Sequence, residues 1–168
     1  MRPPSSRTLL LSSLLLLVSP ALAYEPPAGL GIREFQRFSL NSPFSGPVET
    51  IVMTNHTTVG LGELMDVFVA VQNHSNDTTV GVVIDLDLRY ADGVRVQPFH
   101  LGSERVQTLG PDEGVGFFIF WFIPPDVPPG TATFEASARV TRWTDGEGHD
   151  DNQNPMVAAD SVSFEVLP

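Results

Sequence analysis

An all-β sandwich is the fold this sequence predicts, and three observations carry it. From Val48 onward short apolar runs recur at about ten-residue intervals, separated by Gly, Pro, Asn and Asp, which is the spacing of a sandwich or barrel. Within those runs the period is two, and no 3.6-residue stripe competes with it. The stretch Val115 to Ile123, VGFFIFWFI, packs eight apolar residues into nine and holds four of the eleven phenylalanines. Gly110-Pro111-Asp112-Glu113-Gly114 precedes it and Pro124-Pro125 ends it, so it reads as a strand, far short of the ~20 residues of a membrane span. Phe117, Ile119, Trp121 and Ile123 share one face and Phe118, Phe120 and Phe122 the other, so both faces need cover.

Three segments divide the 168 residues. Residues 1–23 read as a signal peptide: Arg2 and Arg7 supply a positive start, Leu9 to Val18 an apolar run, and Ala21-Leu22-Ala23 a small-x-small cleavage site. No cysteine follows it to carry a bacterial lipid anchor. Residues 24–47 read as an irregular lead-in, rich in Pro and Gly, with Ile32 to Phe38 open to a short helix. Its Ile32, Phe35, Phe38 and Phe44 are too many apolar side chains for a free linker, so part of it is expected to cover apolar surface. Residues 48–168 form the sandwich. A chain of this length buries one core, and with no cysteine that core must hold an exported domain together without disulfides.

The strands follow in order. Val48 to Met53 is the first and Leu64 to Gln72 the second, with Met65, Val67, Val69 and Val71 on one face. Val80 to Tyr90 alternates most cleanly: Val80, Val82, Ile84, Leu86, Leu88 and Tyr90 point in, while Asp85, Asp87 and Arg89 point out. Ala91-Asp92-Gly93 is a hairpin turn, because Asp-Gly supplies the positive φ such turns require, and Val94 to Phe99 pairs back. Arg105 to Leu109 is short. After Val115 to Ile123 a proline-rich crossover leads into Thr131 to Trp143, whose Ala132, Phe134, Ala136, Ala138 and Val140 set mostly small residues opposite the phenylalanine-rich strand. Val157 to Val166 closes the domain with Val162, Phe164 and Val166 inward. The total is about seven to eight strands, an immunoglobulin-like or fibronectin-like antiparallel sandwich.

Charge narrows the function. The chain carries −11 at neutral pH, and its nine basic residues are all arginine. Such a surface repels phosphate, so a nucleic-acid partner is excluded. The loop Asp145 to Asn154 gathers oxygen ligands, with Asp145, Glu147, Asp150 and Asp151 the candidates for calcium, although the spacing is not that of an EF-hand. No other cofactor is implied. His56, His74, His100 and His149 are isolated in the sequence and form no zinc motif. Ser103 lies close to His100, but no G-x-S-x-G elbow exists and no catalytic residue is assigned. Three N-x-S/T sequons, at Asn55, Asn73 and Asn76, fall in expected turns and would be surface glycan sites in a eukaryotic secretory pathway.

The run V-F-V-A-V-Q-N-H-S from Val67, then D-L-R-Y-A-D-G-V, L-G-P-D-E-G, F-I-F-W-F and P-P-G-T-A-T-F-E-A-S-A, resembles the bacterial adhesion-related immunoglobulin-like domains called CARDB. His149-Asp150-Asp151-Asn152-Gln153-Asn154 is similar to the acidic, asparagine-rich loop that precedes the last strand in that family. The resemblance covers about two thirds of the chain and implies an adhesion-type module rather than an enzyme. The expectation is therefore a secreted, periplasmic or cell-surface protein, not membrane-spanning after signal cleavage, that binds a protein or envelope component. Its candidate interaction surface is Phe118, Phe120, Phe122 and Trp143. Two alternatives stand beside it: a small-ligand module taking calcium or carbohydrate through Asp145 to Asn154 and Trp143, and an enzyme with a dispersed site. The Phe118, Phe120 and Phe122 face is either capped by the lead-in phenylalanines or is itself the binding surface.

Overall fold

The structure is a computed structural model that describes residues 30–38, 46–93, 95–102, 106–147 and 156–168, with backbone alone at 30, 35–38 and 95–98. Residues 1–23, expected to be a signal peptide, lie outside the described residues. Ten strands are described: β1 Leu30–Phe38, β2 Val48–Met53, β3 Thr58–Gly60, β4 Leu64–Asn73, β5 Thr79–Arg89, β6 Arg95–Leu101, β7 Gln107–Leu109, β8 Gly114–Phe122, β9 Gly130–Thr144 and β10 Val157–Leu167. They form an immunoglobulin-like sandwich of two sheets. One has the order β1-β8-β4-β2, and the other β3-β10-β9-β5-β6 with β7 pairing β5.

Two strands depart from the expectation of seven to eight. Leu30–Phe38 is neither irregular nor helical; it pairs antiparallel with β8, with Ile32 opposite Ile119 and Arg33 opposite Phe118. The i, i+3 spacing of Ile32, Phe35 and Phe38 mimics a helix turn, but β8 has a second edge of N–H and C=O groups to satisfy and the strand pairing wins. The other addition is β3, three residues that run parallel to the end of β10, so the fold is not wholly antiparallel.

The inner faces are those the two-residue period indicates. Met65, Val67, Val69 and Val71 of β4, Phe117, Ile119 and Trp121 of β8, and Val80, Val82, Ile84, Leu86 and Leu88 of β5 are buried in one cluster with Ala132, Phe134, Ala136 and Ala138 of β9. Phe134 stacks on Phe164 of β10, with ring centroids 5.7 Å apart. Val162 is only half-buried. The hairpin after β5 closes as expected, with Gly93 at φ 77° and its N–H donating to the Tyr90 carbonyl at 2.9 Å.

Two polar devices secure this core. Asn73, at the end of β4, is completely buried, and its Nδ2 donates to the carbonyls of Thr78 (2.7 Å), Gly110 (2.9 Å) and Leu109 (3.2 Å) while its Oδ1 accepts from the N–H of Ser75. It therefore ties two loops to the sheet, and burial rules it out as a surface glycan site; Asn55 and Asn76 are exposed. Across the sandwich, the Trp121 indole N–H donates to the Tyr90 hydroxyl at 3.0 Å, joining β8 of one sheet to the end of β5 in the other. Burial pushes the Tyr90 phenol up to about 12; the Trp121 hydrogen bond opposes that rise and the charge of Asp126 adds to it.

The folded state thus holds the Tyr90 proton more tightly than the unfolded chain does. Stability from this group is fully present below pH 10.0, the ordinary value, and is lost as pH rises toward about 12. Denaturant unfolding across that window is expected to show the loss. Tyr90→Phe should flatten it and, by orphaning the Trp121 N–H, should cost about 1–3 kcal/mol at neutral pH. Asn73→Ala removes the amide that holds the Thr78, Leu109 and Gly110 carbonyls, so its unfolding free energy should fall by about 2–4 kcal/mol.

Candidate functional site

The outer faces of the two sheets differ in kind. On the sheet containing β9 and β10, the outward side chains form polar ladders: Thr131 donates to Glu165 at 2.6 Å, Thr133 and Ser163 share a hydrogen bond, and Arg89 reaches Asp87 at 2.8 Å and Glu135 at 3.8 Å. That face meets water on the terms expected of a half-solvated sheet.

The outer face of the β1-β8-β4-β2 sheet is largely apolar. Phe118, Phe120 and Phe122 project from β8 with 36%, 39% and 47% of their surface exposed, and Leu64 and Met53 are more than half exposed. Register assembles these residues into one patch. Phe118 stands opposite Phe68 on β4, their rings 5.0 Å apart at 47°, and Met53 of β2 stands opposite Phe68 on its far side. Phe122 faces Leu64, and Phe120 lies between Asp66 on β4 and Gly31 on β1. Its ring leans toward Gly31, with Cδ2 3.9 Å from where a Cβ would stand there. Covering rings that are already half-buried would recover roughly 1 kcal/mol each.

Two charged residues flank the patch on opposite sides. Arg33 on β1 neighbours Phe118, and Asp66 on β4 neighbours Phe120. Asp66 accepts from His56 through Oδ1 at 2.8 Å and is 40% exposed. The strand β1 lies beside β8 in the plane of the sheet, not across its outer face, and the three phenylalanines stay exposed. Phe44 lies outside the described residues.

The other expected site residues are dispersed. Trp143 belongs to β9 in the opposite sheet, stands opposite Val80 and packs half-buried on the core, so it does not share the phenylalanine face. Asp145 and Glu147 occupy the turn after β9, where the Glu147 N–H donates to Asp145 Oδ1 at 3.0 Å. Asp150, Asp151, Ser103 and His149 lie outside the described residues. Among the described residues, no group of three or more His, Asp or Glu side chains is placed to hold a metal ion.

Sequence reasoning missed three His–carboxylate pairs: His56 with Asp66, His74 with Glu49 at 2.8 Å, and His100 with Asp85. The residues of each pair are 10, 25 and 15 positions apart, so no local motif could announce them. The shallow depression on the polar sheet, lined by Thr79, Gly81, Val106, Thr108, Arg142 and Thr144, contains none of the three. Leu64, Phe68 and Met53 were also missed as members of the face, although the two-residue period of their own strands places them there.

An immunoglobulin-like sandwich with one apolar outer face is therefore the class of protein that fold and site define. No family model matches the chain, and no curated protein sequence does. Among solved structures, it is similar to a Pseudomonas fluorescens alkylpurine DNA glycosylase bound to DNA containing an abasic site analog. That match has a TM-score of 0.51 at 15% identity over 73% of this chain and 31% of the other. This chain thus spans about a third of that enzyme, and the likeness shows the fold alone. The CARDB domain of a Pyrococcus furiosus protein, in complex with di-metal ions, matches at TM-score 0.48 and 15% identity over 71% of this chain and 87% of the other. A family 123 glycoside hydrolase from Clostridium perfringens matches at 0.46 and 11% identity over 71% and 27%.

If the face is surface rather than core, neighbouring residues of β8 should respond unequally to truncation. Ile119→Ala is expected to cost about 2–5 kcal/mol of unfolding free energy. Phe120→Ser should cost less, about 1–2 kcal/mol, measured by the same denaturant titration.

Proposed function

We propose that the protein is a non-enzymatic, extracytoplasmic β-sandwich that binds another protein or an envelope component through the outer face of the β1-β8-β4-β2 sheet. The single observation that supports this reading is the exposed row Phe118, Phe120 and Phe122 with Leu64, Phe68 and Met53 around it. Contiguous apolar surface on a folded domain marks an interaction site more often than it marks nothing, and aromatic rings carry much of the energy at such sites. Export rests on the charged, apolar and small-residue pattern of residues 1–23. The non-enzymatic part rests on the lack of a nucleophile motif in the sequence. Of the three His–carboxylate pairs, His100 with Asp85 joins β6 to β5, while His56 and His74 reach Asp66 and Glu49 from loops, and none lines the depression on the polar sheet.

The test is capture from envelope and culture fractions with the intact protein and with a Phe118→Ser/Phe120→Ser/Phe122→Ser variant that retains its cooperative unfolding. The same bound components should be recovered by the first and lost by the second. Equal recovery by both, or hydrolase activity that follows the protein through purification, overturns the reading.

A further inference from the structure

We propose that the occupant of the phenylalanine face is a second copy of this chain, stacked face to face about a two-fold axis that runs along β8. The inference rests on the reading that this face is the binding surface, and it goes on to name the partner. What points to a second copy is the placement of the two charges. Across the outer face the strands run β1, β8, β4, β2, with Arg33 on β1 at the level of Phe118 and Asp66 on β4 at the level of Phe120. The positive and negative groups therefore sit on opposite sides of the phenylalanine column, one strand away from it.

A two-fold axis lying in the interface along that column keeps the level along the strands and exchanges the two sides. The β1 of one copy then lies over the β4 of the other. Arg33 comes over the partner copy's Phe68, one residue pair along from its Asp66, within reach of a guanidinium on its long stem. The contact forms twice, and Phe118, Phe120 and Phe122 of both copies meet along the axis as an isologous interface requires. A two-fold perpendicular to the strands would instead set each Arg33 toward the other's β1, like charge toward like. Asp66 can accept the new donor: its Oδ1 holds His56, and its Oδ2 has no partner among the described residues.

The face also limits the affinity. Four strands about 4.8 Å apart and about nine residues long make a face on the order of 600 Å². That is below the ~800 Å² per partner of a standard interface, and the −11 charge on each copy opposes association. The dimer is therefore expected to be weak, with a dissociation constant of roughly micromolar order, and best measured at physiological salt where the net repulsion is screened.

Sedimentation equilibrium over a concentration series tests it. The wild type should fit a monomer–dimer equilibrium. Phe120→Asp should abolish the dimer, and Arg33→Glu or Asp66→Arg alone should weaken it about tenfold or more. The double swap Arg33→Glu/Asp66→Arg should restore at least part of the loss. Melting curves confirm that each variant is folded, and Arg33→Glu serves if Asp66→Arg perturbs the His56 pair. A wild type that stays monomeric, a dimer indifferent to Arg33→Glu, or a double swap no better than the singles overturns the two-fold. A monomeric wild type whose envelope partner is still lost with the triple serine variant overturns this inference alone and leaves the binding reading standing.

Discussion

The structure depends on β8 being apolar on both sides. A strand of this composition would template aggregation through its backbone groups at a sheet edge, and exposes apolar rings wherever one of its sides meets water. The chain answers the first problem completely: β1 pairs one side of β8 and β4 the other, leaving it interior to its sheet. The second is answered on one side only. Phe117, Ile119 and Trp121 vanish into the core, where β9 offers Ala132, Ala136 and Ala138 beside Phe134, so that large side chains and small ones share the space between the sheets. Phe118, Phe120 and Phe122 keep a third to a half of their surface exposed.

The edge opposite β1 is closed by a charge. Asp160 lies on the inner side of β10 by its register against Ala136, and its Oδ2 accepts the N–H of Val52 in β2 at 2.8 Å. Thr50 adds a hydrogen bond to the Ala158 carbonyl at 3.0 Å. The outermost strand of the apolar-faced sheet is thereby bound to the other sheet, through an inward-pointing carboxylate of the kind that blunts edges. Among the described residues no buried side-chain nitrogen or oxygen lacks a partner. Against that satisfied set of buried side chains, the exposed apolar face stands out as the place where the usual rule is relaxed.

Local pattern carried much of this. The two-residue period of Val80 to Tyr90 and of Thr131 to Trp143 identified the inner face correctly, and Asp92-Gly93 located its hairpin, because alternation and turn chemistry are properties of adjacent residues. Pairing is not. Leu30–Phe38 looked irregular since nothing nearby in sequence shows that β8, some 80 residues on, needs a neighbour. Thr58–Gly60 is a strand only because the end of β10 runs beside it. Asn73 read as an exposed turn residue for the same reason: the carbonyls that bury its amide come from Thr78, Leu109 and Gly110. The face itself was half legible. Its central phenylalanines follow from one strand's parity, whereas Phe68, Met53, Arg33 and Asp66 join it only through register across four strands, and Trp143 is excluded because it lies in the other sheet.

A sheet face and a sheet edge recognise partners by different physics, and the distinction bears on what this surface does. An edge offers backbone donors and acceptors that any extended segment can meet, so affinity comes cheaply and selectivity poorly. A face offers only side chains on a grid whose spacing is set by the strands. Here the grid holds aromatic rings at alternate positions of one strand, an aliphatic or aromatic neighbour beside two of them, and one charge of each sign on either side. Burying the rings supplies a largely non-directional attraction, while the charges penalise any arrangement that leaves them desolvated and unpaired. The apolar column therefore sets the strength of association, and Arg33 and Asp66, placed asymmetrically about it, set which orientation of a partner is accepted.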